Sequence, residues 1–175
     1  LVVEMMHADG LPATAYELEG GPPCVIGHVP SASSSKTLLA YAHYDVQPPE
    51  PVEKWTYPPF GAVVDKGRVW GRGATDNKSG VLAFMKGAKA WLQTRGELPV
   101  GVKFFTEGEE EIGSIHLGPF IEANPELVRA DAMHCLDGGV DPSAMTPDID
   151  LGLKSVLFIE LVARGANADI HSLNA

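Results

Sequence analysis

The sequence has few cysteines and few basic residues. Its two cysteines, Cys24 and Cys135, are too few for a disulfide framework and favour a reducing compartment, the cytoplasm. The 13 Lys and Arg residues are outnumbered by 23 Asp and Glu residues, so the formal net charge is -10. Because a surface that binds nucleic acid or an anionic membrane is basic, this charge balance argues against both kinds of partner.

Long hydrophobic runs are also missing. No apolar stretch approaches the ~20 residues that a membrane-spanning helix needs, and residues 1–10 lack the basic start and apolar block of a signal peptide. The composition, with 45% hydrophobic and 21% charged residues, is typical of a folded domain. The chain begins with Leu1 rather than Met and stops at Ala175, shortly after a strand-like run. We therefore expect it to be part of a longer protein.

Short apolar runs alternate with helical patterns along the chain. The helical patterns cover Ser79 to Thr94, with apolar residues at three- and four-residue spacing, and about Ser114 to Ala123. The predicted strands are Thr37 to Ala42, Val100 to Thr106, Asp131 to Leu136, Ile149 to Leu153 and Val156 to Ala163. This alternation predicts an α/β fold with a mainly parallel sheet flanked by helices.

Composition also predicts where the chain is irregular. Gly20 to Ser35 is rich in Gly, Pro and Ser, and Gln47 to Phe60 holds five prolines, so we expect loops in both segments. A turn-rich stretch precedes the last predicted strand. We expect residues 1–153 to form one domain and residues 154–175 to begin a second, smaller one.

Four groups of polar residues could carry chemistry. They are His43 with Asp45, Asp76 in a Gly-rich turn before the long helix, the acidic run Glu107 to Glu111, and Asp137 before two glycines. Each has a simpler interpretation when taken alone. His43 and Asp45 could cap a strand, Asp76 could be a helix N-cap, the acidic run could be a solvated loop, and Asp137 could start a turn.

Taken together, the four groups indicate a metal site. His43, Glu110 and Asp137 each follow a predicted strand, and ligands gather at the carboxyl ends of parallel strands. The four carboxylates of the acidic run are expected to repel each other, at roughly 4 kcal/mol for each pair ~4 Å apart with an effective dielectric constant of 20, a cost that a divalent cation removes. One His and several carboxylates suit two divalent ions that activate a water, with an Asp between the other ligands as the natural bridge.

Several linked motifs carry a family resemblance. From about Thr37 onward the sequence resembles the M20 zinc metallopeptidases, the group of carnosinase-like dipeptidases, carboxypeptidases and aminoacylases. The motifs are Tyr41-Ala42-His43-Tyr44-Asp45-Val46-Gln47-Pro48, Trp55 with Pro58-Pro59-Phe60, Gly71-Arg72-Gly73-Ala74-Thr75-Asp76-Asn77-Lys78, Glu107-Gly108-Glu109-Glu110-Glu111-Ile112-Gly113-Ser114 and Asp169-Ile170-His171-Ser172. The resemblance implies a zinc-peptidase-like α/β fold whose lid domain begins with the strand Val156 to Ala163.

The resemblance also implies roles for individual residues. His43, Asp76, Glu111 and Asp137 would be metal ligands, with Asp76 bridging two divalent ions, zinc foremost and manganese or cobalt as alternatives. Asp45 would support His43, Glu110 would be the general base, and His171 would be a lid histidine that polarises the scissile carbonyl. The family often has a cis peptide bond after the bridging Asp, here between Asp76 and Asn77. His7, His28, His116 and His134 match no motif and are expected to be surface or structural residues.

The expected function is that of a metal-dependent hydrolase of peptide bonds, of the dipeptidase or carboxypeptidase type, with a zinc-activated water. The alternatives are an N-acyl-amino-acid deacylase or desuccinylase of the same family, and a non-catalytic homologue. The implied substrate is a small peptide or an N-acyl amino acid, and the implied full-length protein is a homodimer. Because the family's last zinc-binding histidine would follow Ala175, we expect the chain alone to be weakly active or inactive.

Overall fold

The computed structural model describes residues 1–138, 146, 152, 157 and 159–163. Eleven helices and strands lie in this part of the chain. In order they are α1 (Val2–Ala8), β1 (Thr14–Tyr16), β2 (Cys24–Val29), β3 (Thr37–His43), β4 (Val63–Asp65), β5 (Arg68–Trp70), α2 (Gly80–Arg95), β6 (Gly101–Glu107), α3 (Leu117–Ala123), α4 (Pro125–Val128) and β7 (Ala132–Cys135).

A five-stranded sheet organises these elements, in the order β1-β2-β6-β3-β7. Strand β3 pairs in parallel with β6 and with β7, whereas β2 pairs antiparallel with β6 and with β1. Four of the five strands therefore point in one direction and β2 alone runs the other way. This confirms the prediction of a mainly parallel sheet in an α/β fold.

Two hydrophobic clusters cover the two faces of the sheet. Adjacent residues of β6 divide between them, because successive side chains of a strand point to opposite faces. Phe104 packs with Met6 of α1 and Met85 of α2 on one face, and Phe105 packs with Leu117 of α3 on the other. Burial on both faces explains why the strands read as near-continuous apolar runs.

The helix predictions are confirmed with small changes at the ends. The predicted helix Ser79 to Thr94 is α2, and its C-terminal cap is Gly96 in the left-handed conformation, with φ of 83°. The predicted helix Ser114 to Ala123 begins later, at Leu117. A further short helix, α4, starts at Pro125, where proline is tolerated because the first helical N–H has no intrahelical partner.

The prediction that Gly20 to Ser35 is a loop is wrong, because this segment contains β2. Cys24 to Gly27 are buried, and β2 pairs with neighbours on both sides. Tertiary pairing therefore outweighs the Gly- and Pro-rich flanks. Gly27 is required for packing, since a Cβ there would overlap the carbonyl oxygen of Pro12 and the side chain of Met6. The Pro-rich segment Gln47 to Phe60 is irregular as predicted, apart from one short helical turn.

The last two predicted strands fall largely outside the described residues. The segment Ile149 to Leu153 has one described residue, and Val156 to Ala163 has residues 157 and 159–163, none of which is in a strand. A strand needs a neighbour for its backbone groups. Among the described residues no strand pairs with this segment. The strand at the start of a lid and the domain boundary near residue 153 stay predictions.

Within the described residues, none of the helices combines the length and the apolar character that crossing a lipid bilayer demands.

Phe105 and Phe60 form a matched pair for testing the core. Phe105 is 2% exposed and Phe60 is 65% exposed. We expect Phe105→Ala to lower the free energy of unfolding by about 3–5 kcal/mol, because it leaves a cavity between the sheet and α3. Phe60→Ala should change it by less than about 0.5 kcal/mol. Urea unfolding followed by circular dichroism measures both, and equal losses would contradict this assignment of the core.

Candidate metal centre

The carboxyl edge of the parallel strands gathers the polar residues. Strand β3 ends at His43, β6 ends at Glu107, and Asp137 lies two residues beyond the end of β7. These three strands are parallel, so their ends meet at one edge of the sheet. Asp76 reaches the same edge from the irregular helical turn Ala74–Ser79 that precedes α2.

His43 lies at the centre of this group and is fully buried. Its Nδ1 atom is 3.0 Å from an oxygen of Asp45. Its Nε2 atom faces three further carboxylates, with distances of 3.0 Å to Asp76 Oδ1, 3.6 Å to Asp137 Oδ1 and 3.8 Å to Glu110 Oε2. The structure thus brings five of the seven predicted site residues together.

Asp45 determines how the imidazole is used. A carboxylate can only accept, so the 3.0 Å contact places the proton of His43 on Nδ1 and leaves the lone pair of Nε2 toward the other carboxylates. Asp45 also accepts hydrogen bonds from the backbone N–H groups of Glu110 and Glu111, at 3.3 and 3.0 Å. One side chain therefore orients both the histidine and the turn that carries the two glutamates.

The surroundings of the site raise the pKa values of His43 and Glu110. Burial favours neutral His43, but the carboxylates of Asp137, Asp45, Glu110 and Asp76 outweigh it and raise the pKa of His43 above its usual value. Burial raises the pKa of Glu110, and the nearby Asp137 and Glu111 carboxylates add to the increase against the opposing effect of His43. The carboxylates therefore surround His43 with a strongly cation-attracting environment.

The donor atoms fit a divalent metal ion. His43, Asp76 and Asp137 each offer one ligand atom, and these atoms lie within 4.8 Å of one another. In the described part of the chain, the buried Nε2 atom of His43 has no hydrogen-bond partner. Neutral His43 places its Nε2 lone pair 3.0 Å from an oxygen of Asp76, a repulsive contact that a cation between the two atoms relieves. One imidazole nitrogen with carboxylate oxygens is a donor set that zinc and similar ions accept.

Two predicted site residues are not part of this group of ligand atoms. The carboxylate of Glu111 accepts hydrogen bonds from the backbone N–H and side-chain amide of Gln47, at 3.3 and 3.0 Å. Its assignment as a ligand, and the presence of a second metal ion, stay predictions. His171 lies outside the described residues, so its role also stays a prediction.

Sequence reasoning assigned no role to Asn77, although it lies within one of the motifs. Asn77 is fully buried and follows Asp76 through a cis peptide bond, as the family resemblance implied. Its side-chain amide donates to Leu136 O and to Asp137 Oδ1, both at 2.7 Å. Asn77 therefore orients Asp137. Gly80 leaves room for Asn77, since a Cβ there would overlap the side-chain oxygen Oδ1 of Asn77 and the backbone oxygen of Leu136.

The acidic run does not act as one cluster of repelling charges, which corrects the expectation from sequence. Glu107 and Glu109 are only 3% and 5% exposed, and each has its own hydrogen-bond donors. Glu107 accepts from the hydroxyl groups of Tyr41 and Ser114, at 2.5 and 2.7 Å. Glu109 accepts from His116. Only the other two glutamates of the run remain near the metal site.

Comparison with known proteins identifies relatives of this site and fold. A Cys-Gly metallodipeptidase from Schizosaccharomyces pombe is 35% identical over 154 residues, which cover 86% of this chain and 32% of that protein. The human Beta-Ala-His dipeptidase is 30% identical over 152 residues, with 86% and 30% covered. A succinyl-diaminopimelate desuccinylase from Maricaulis maris is 31% identical over 145 residues, with 79% and 35% covered.

A solved structure shows the same fold. The M20 family metallo-carboxypeptidase of Sulfolobus solfataricus matches with a TM-score of 0.75 and 38% identity, over 81% of this chain and 32% of that one. The chain spans about a third of the length of the curated relatives it matches. The profile of peptidase family M20/M25/M40 matches residues 39–169, which include every motif that carried the resemblance except the final residues of the last. The chain belongs to this family of metallopeptidases.

Proposed function

We propose that this chain supplies most of the active site of a metal-dependent hydrolase that cleaves the amide bond of small peptides, of the dipeptidase type. The observation that carries the proposal is the buried Nε2 atom of His43, which faces three carboxylates and lacks a hydrogen-bond partner in the described part of the chain. Relatives named as dipeptidases for Cys-Gly and for Beta-Ala-His support small peptides as the substrate class.

In this proposal His43, Asp76 and Asp137 would hold one ion, and Glu111 would help to hold a second, with Asp76 shared between the two. Zinc, or another divalent ion held there, would polarise the amide carbonyl and lower the pKa of a water. Asp45 keeps the Nε2 lone pair of His43 directed at the ligand position, through its bond to Nδ1. Asn77 holds Asp137 in place, because its side-chain amide donates a hydrogen bond to Asp137 Oδ1.

Glu110 is the general base of the proposed reaction. Its Oε2 atom lies 3.8 Å from His43 Nε2, beside the ligand atoms rather than among the group of three. From this position the Glu110 carboxylate would take a proton from the attacking water and return it to the leaving amine. The backbone bond from Glu110 to Asp45 links the base to the histidine ligand.

The lid belongs to the same proposal. Residues 1–153 would form the catalytic domain, and residues 154–175 would begin a lid and dimerisation domain. His171 would donate a hydrogen bond to the oxyanion that develops on the scissile carbonyl, where a fixed donor has a large effect on the rate. In a homodimer this histidine would serve the active site of the partner subunit.

An amide hydrolase for N-acyl amino acids is the second candidate, supported by the similarity to a desuccinylase. It uses the same metal centre and general base, so the two candidates differ in substrate alone.

Metal binding tests the ligand assignment. We expect Asp76→Ala to weaken zinc binding by at least ~100-fold. Removing a residue that hydrogen-bonds to a metal ligand already lowers metal affinity by up to about 100-fold, and removing the ligand itself should cost no less. Glu122→Ala is the matched control, since Glu122 is an exposed glutamate on α3. Isothermal titration calorimetry compares both variants with the wild type. Equal zinc affinity in the Asp76 variant and the control would reject the site.

The base assignment is tested by Glu110→Gln in the full-length protein. We expect kcat to fall by about 10²–10⁴-fold, because the amide cannot take the proton of the attacking water. Zinc affinity should stay close to that of the wild type, since Glu110 is not one of the three close ligands. A variant that keeps wild-type kcat would remove Glu110 from the mechanism.

Substrate class is tested by a screen of the full-length protein. We expect hydrolysis of dipeptides, with Cys-Gly and Beta-Ala-His among the first to try, and loss of activity on addition of a chelator with recovery on adding zinc or manganese. Hydrolysis confined to N-acyl amino acids would favour the second candidate. Activity that persists under chelation would contradict both.

A further inference from the structure

The loop that presents Glu110 is closed at its base by two side-chain bonds. Glu107 accepts from the hydroxyl of Ser114, and Glu109 accepts from His116, so each bond joins residues seven positions apart. The short helical turn Glu110–Ile112 lies inside both. The acidic residues of the loop therefore have different contacts: Glu107 and Glu109 hold the loop, Glu110 faces His43, and Glu111 bonds Gln47.

Glu109 accepts four hydrogen bonds that close the loop, two at its backbone carbonyl and two at its carboxylate. Its backbone carbonyl accepts from the N–H groups of Ile112 and Ser114, at 3.1 and 2.8 Å. Its carboxylate accepts from the backbone N–H and the ring Nδ1 of His116, at 3.1 and 2.8 Å. A single residue next to Glu110 thus closes the turn through both its main chain and its side chain.

Burial makes this contact specific. The Glu109 side chain is 7% exposed, and a carboxylate removed from water must keep hydrogen-bond donors. Burial would raise the pKa of Glu109, but the ring and backbone N–H of His116 outweigh it and hold the pKa below its usual value. His116 is partly buried, with 34% of its side chain exposed. A Cβ at Gly20 or Gly21 would approach the His116 side chain to 3.1 or 2.9 Å, so the histidine packs directly on the backbone of these glycines.

The Glu110 turn is held from the opposite side by Asp45. Asp45 accepts from the backbone N–H groups of Glu110 and Glu111 and also bonds His43. With Glu109 and His116 on one side and Asp45 on the other, the backbone of Glu110 has little freedom to shift. The position of its carboxylate relative to His43 depends on both supports.

We propose that Glu109 and His116 are a positioning pair, which fixes the turn so that the Glu110 carboxylate stays within reach of the attacking water. The inference rests on the proposed role of Glu110 as the base. Neither residue is among the side chains that face the Nε2 atom of His43. Their effect is on the placement of the base, and a displacement of ~1 Å can cost about 10²-fold in rate.

Kinetics of the full-length, zinc-loaded protein test the pair. His116→Ala removes the ring donor, whereas His116→Asn places an amide N–H near the position of Nδ1. We expect kcat to fall about 10- to 100-fold in His116→Ala with KM and zinc content unchanged, and to recover largely in His116→Asn. Glu109→Ala should lower kcat at least as much as His116→Ala, because it also removes the bond from the backbone N–H of His116. The double variant should be no worse than Glu109→Ala, because the ring interaction is then already lost. Glu122→Ala is the control.

Three results would overturn the pair. The first is a kcat for His116→Ala that equals the kcat of Glu122→Ala. The second is a double variant in which the losses of the two single variants multiply. The third is a fall in the kcat of His116→Ala that is no larger than its loss of bound zinc or of folded protein. If Glu109→Ala does not fold, the comparison of His116→Ala with His116→Asn decides alone.

Hydrogen exchange separates this inference from the proposed function. Amide exchange across residues 110–114 should speed up at least ~10-fold in His116→Ala and not in His116→Asn or Glu122→Ala, because local opening becomes easier. If the wild-type protein hydrolyses no amide substrate, the proposed function fails, yet faster exchange would still show that the pair holds the turn. Unchanged exchange would reject the pair whatever the substrate is.

Discussion

The site depends on one buried imidazole whose orientation is set by a carboxylate. His43 is removed from solvent at the end of the central strand β3, and Asp45 accepts a hydrogen bond from its Nδ1–H group. The unshared pair on Nε2 must then face Asp76, Asp137 and Glu110. This arrangement is costly for a protein without a cation and favourable with one, because a buried polar atom needs a partner. The tautomer that Asp45 favours therefore makes this edge of the sheet a candidate metal centre.

The rest of the molecule serves to hold that geometry. Parallel pairing of β3 with β6 and β7 brings three strand ends to one edge, and hydrophobic clusters on both faces make the sheet rigid. Outside the ligands, buried polar groups connect one loop to the next. Asn77 joins the turn before α2 to the segment after β7, and Glu109 joins the Glu110 turn to the start of α3. The candidate ligands come from separate segments of the chain, so each needs such a support.

Much of the fold could be predicted from sequence, and the exceptions have a common cause. Strand β3 and helix α2 have strong local patterns, and both form where predicted. Strand β2 has flanks rich in Gly and Pro, and it forms because neighbouring strands pair with it on both sides. The short hairpin of β4 and β5 has too few residues for a periodic signal. Local propensity fails where long-range pairing supplies the stability.

The sequence by itself determined which chemistry the site can perform. It supplies residue types that hold metal ions and transfer protons, and it places them in motifs typical of one peptidase family. These residues are His43, Asp45, Asp76, Glu110 and Asp137. Only the tertiary structure decided which members of the acidic run face the site. Spacing along the chain cannot distinguish Glu107 and Glu109 from their neighbours, because their partners are a tyrosine on β3, a serine and a histidine that the loop brings back to them. Those partners depend on how the chain turns after β6, and hydrogen bonds across a fold carry no signature in the local sequence.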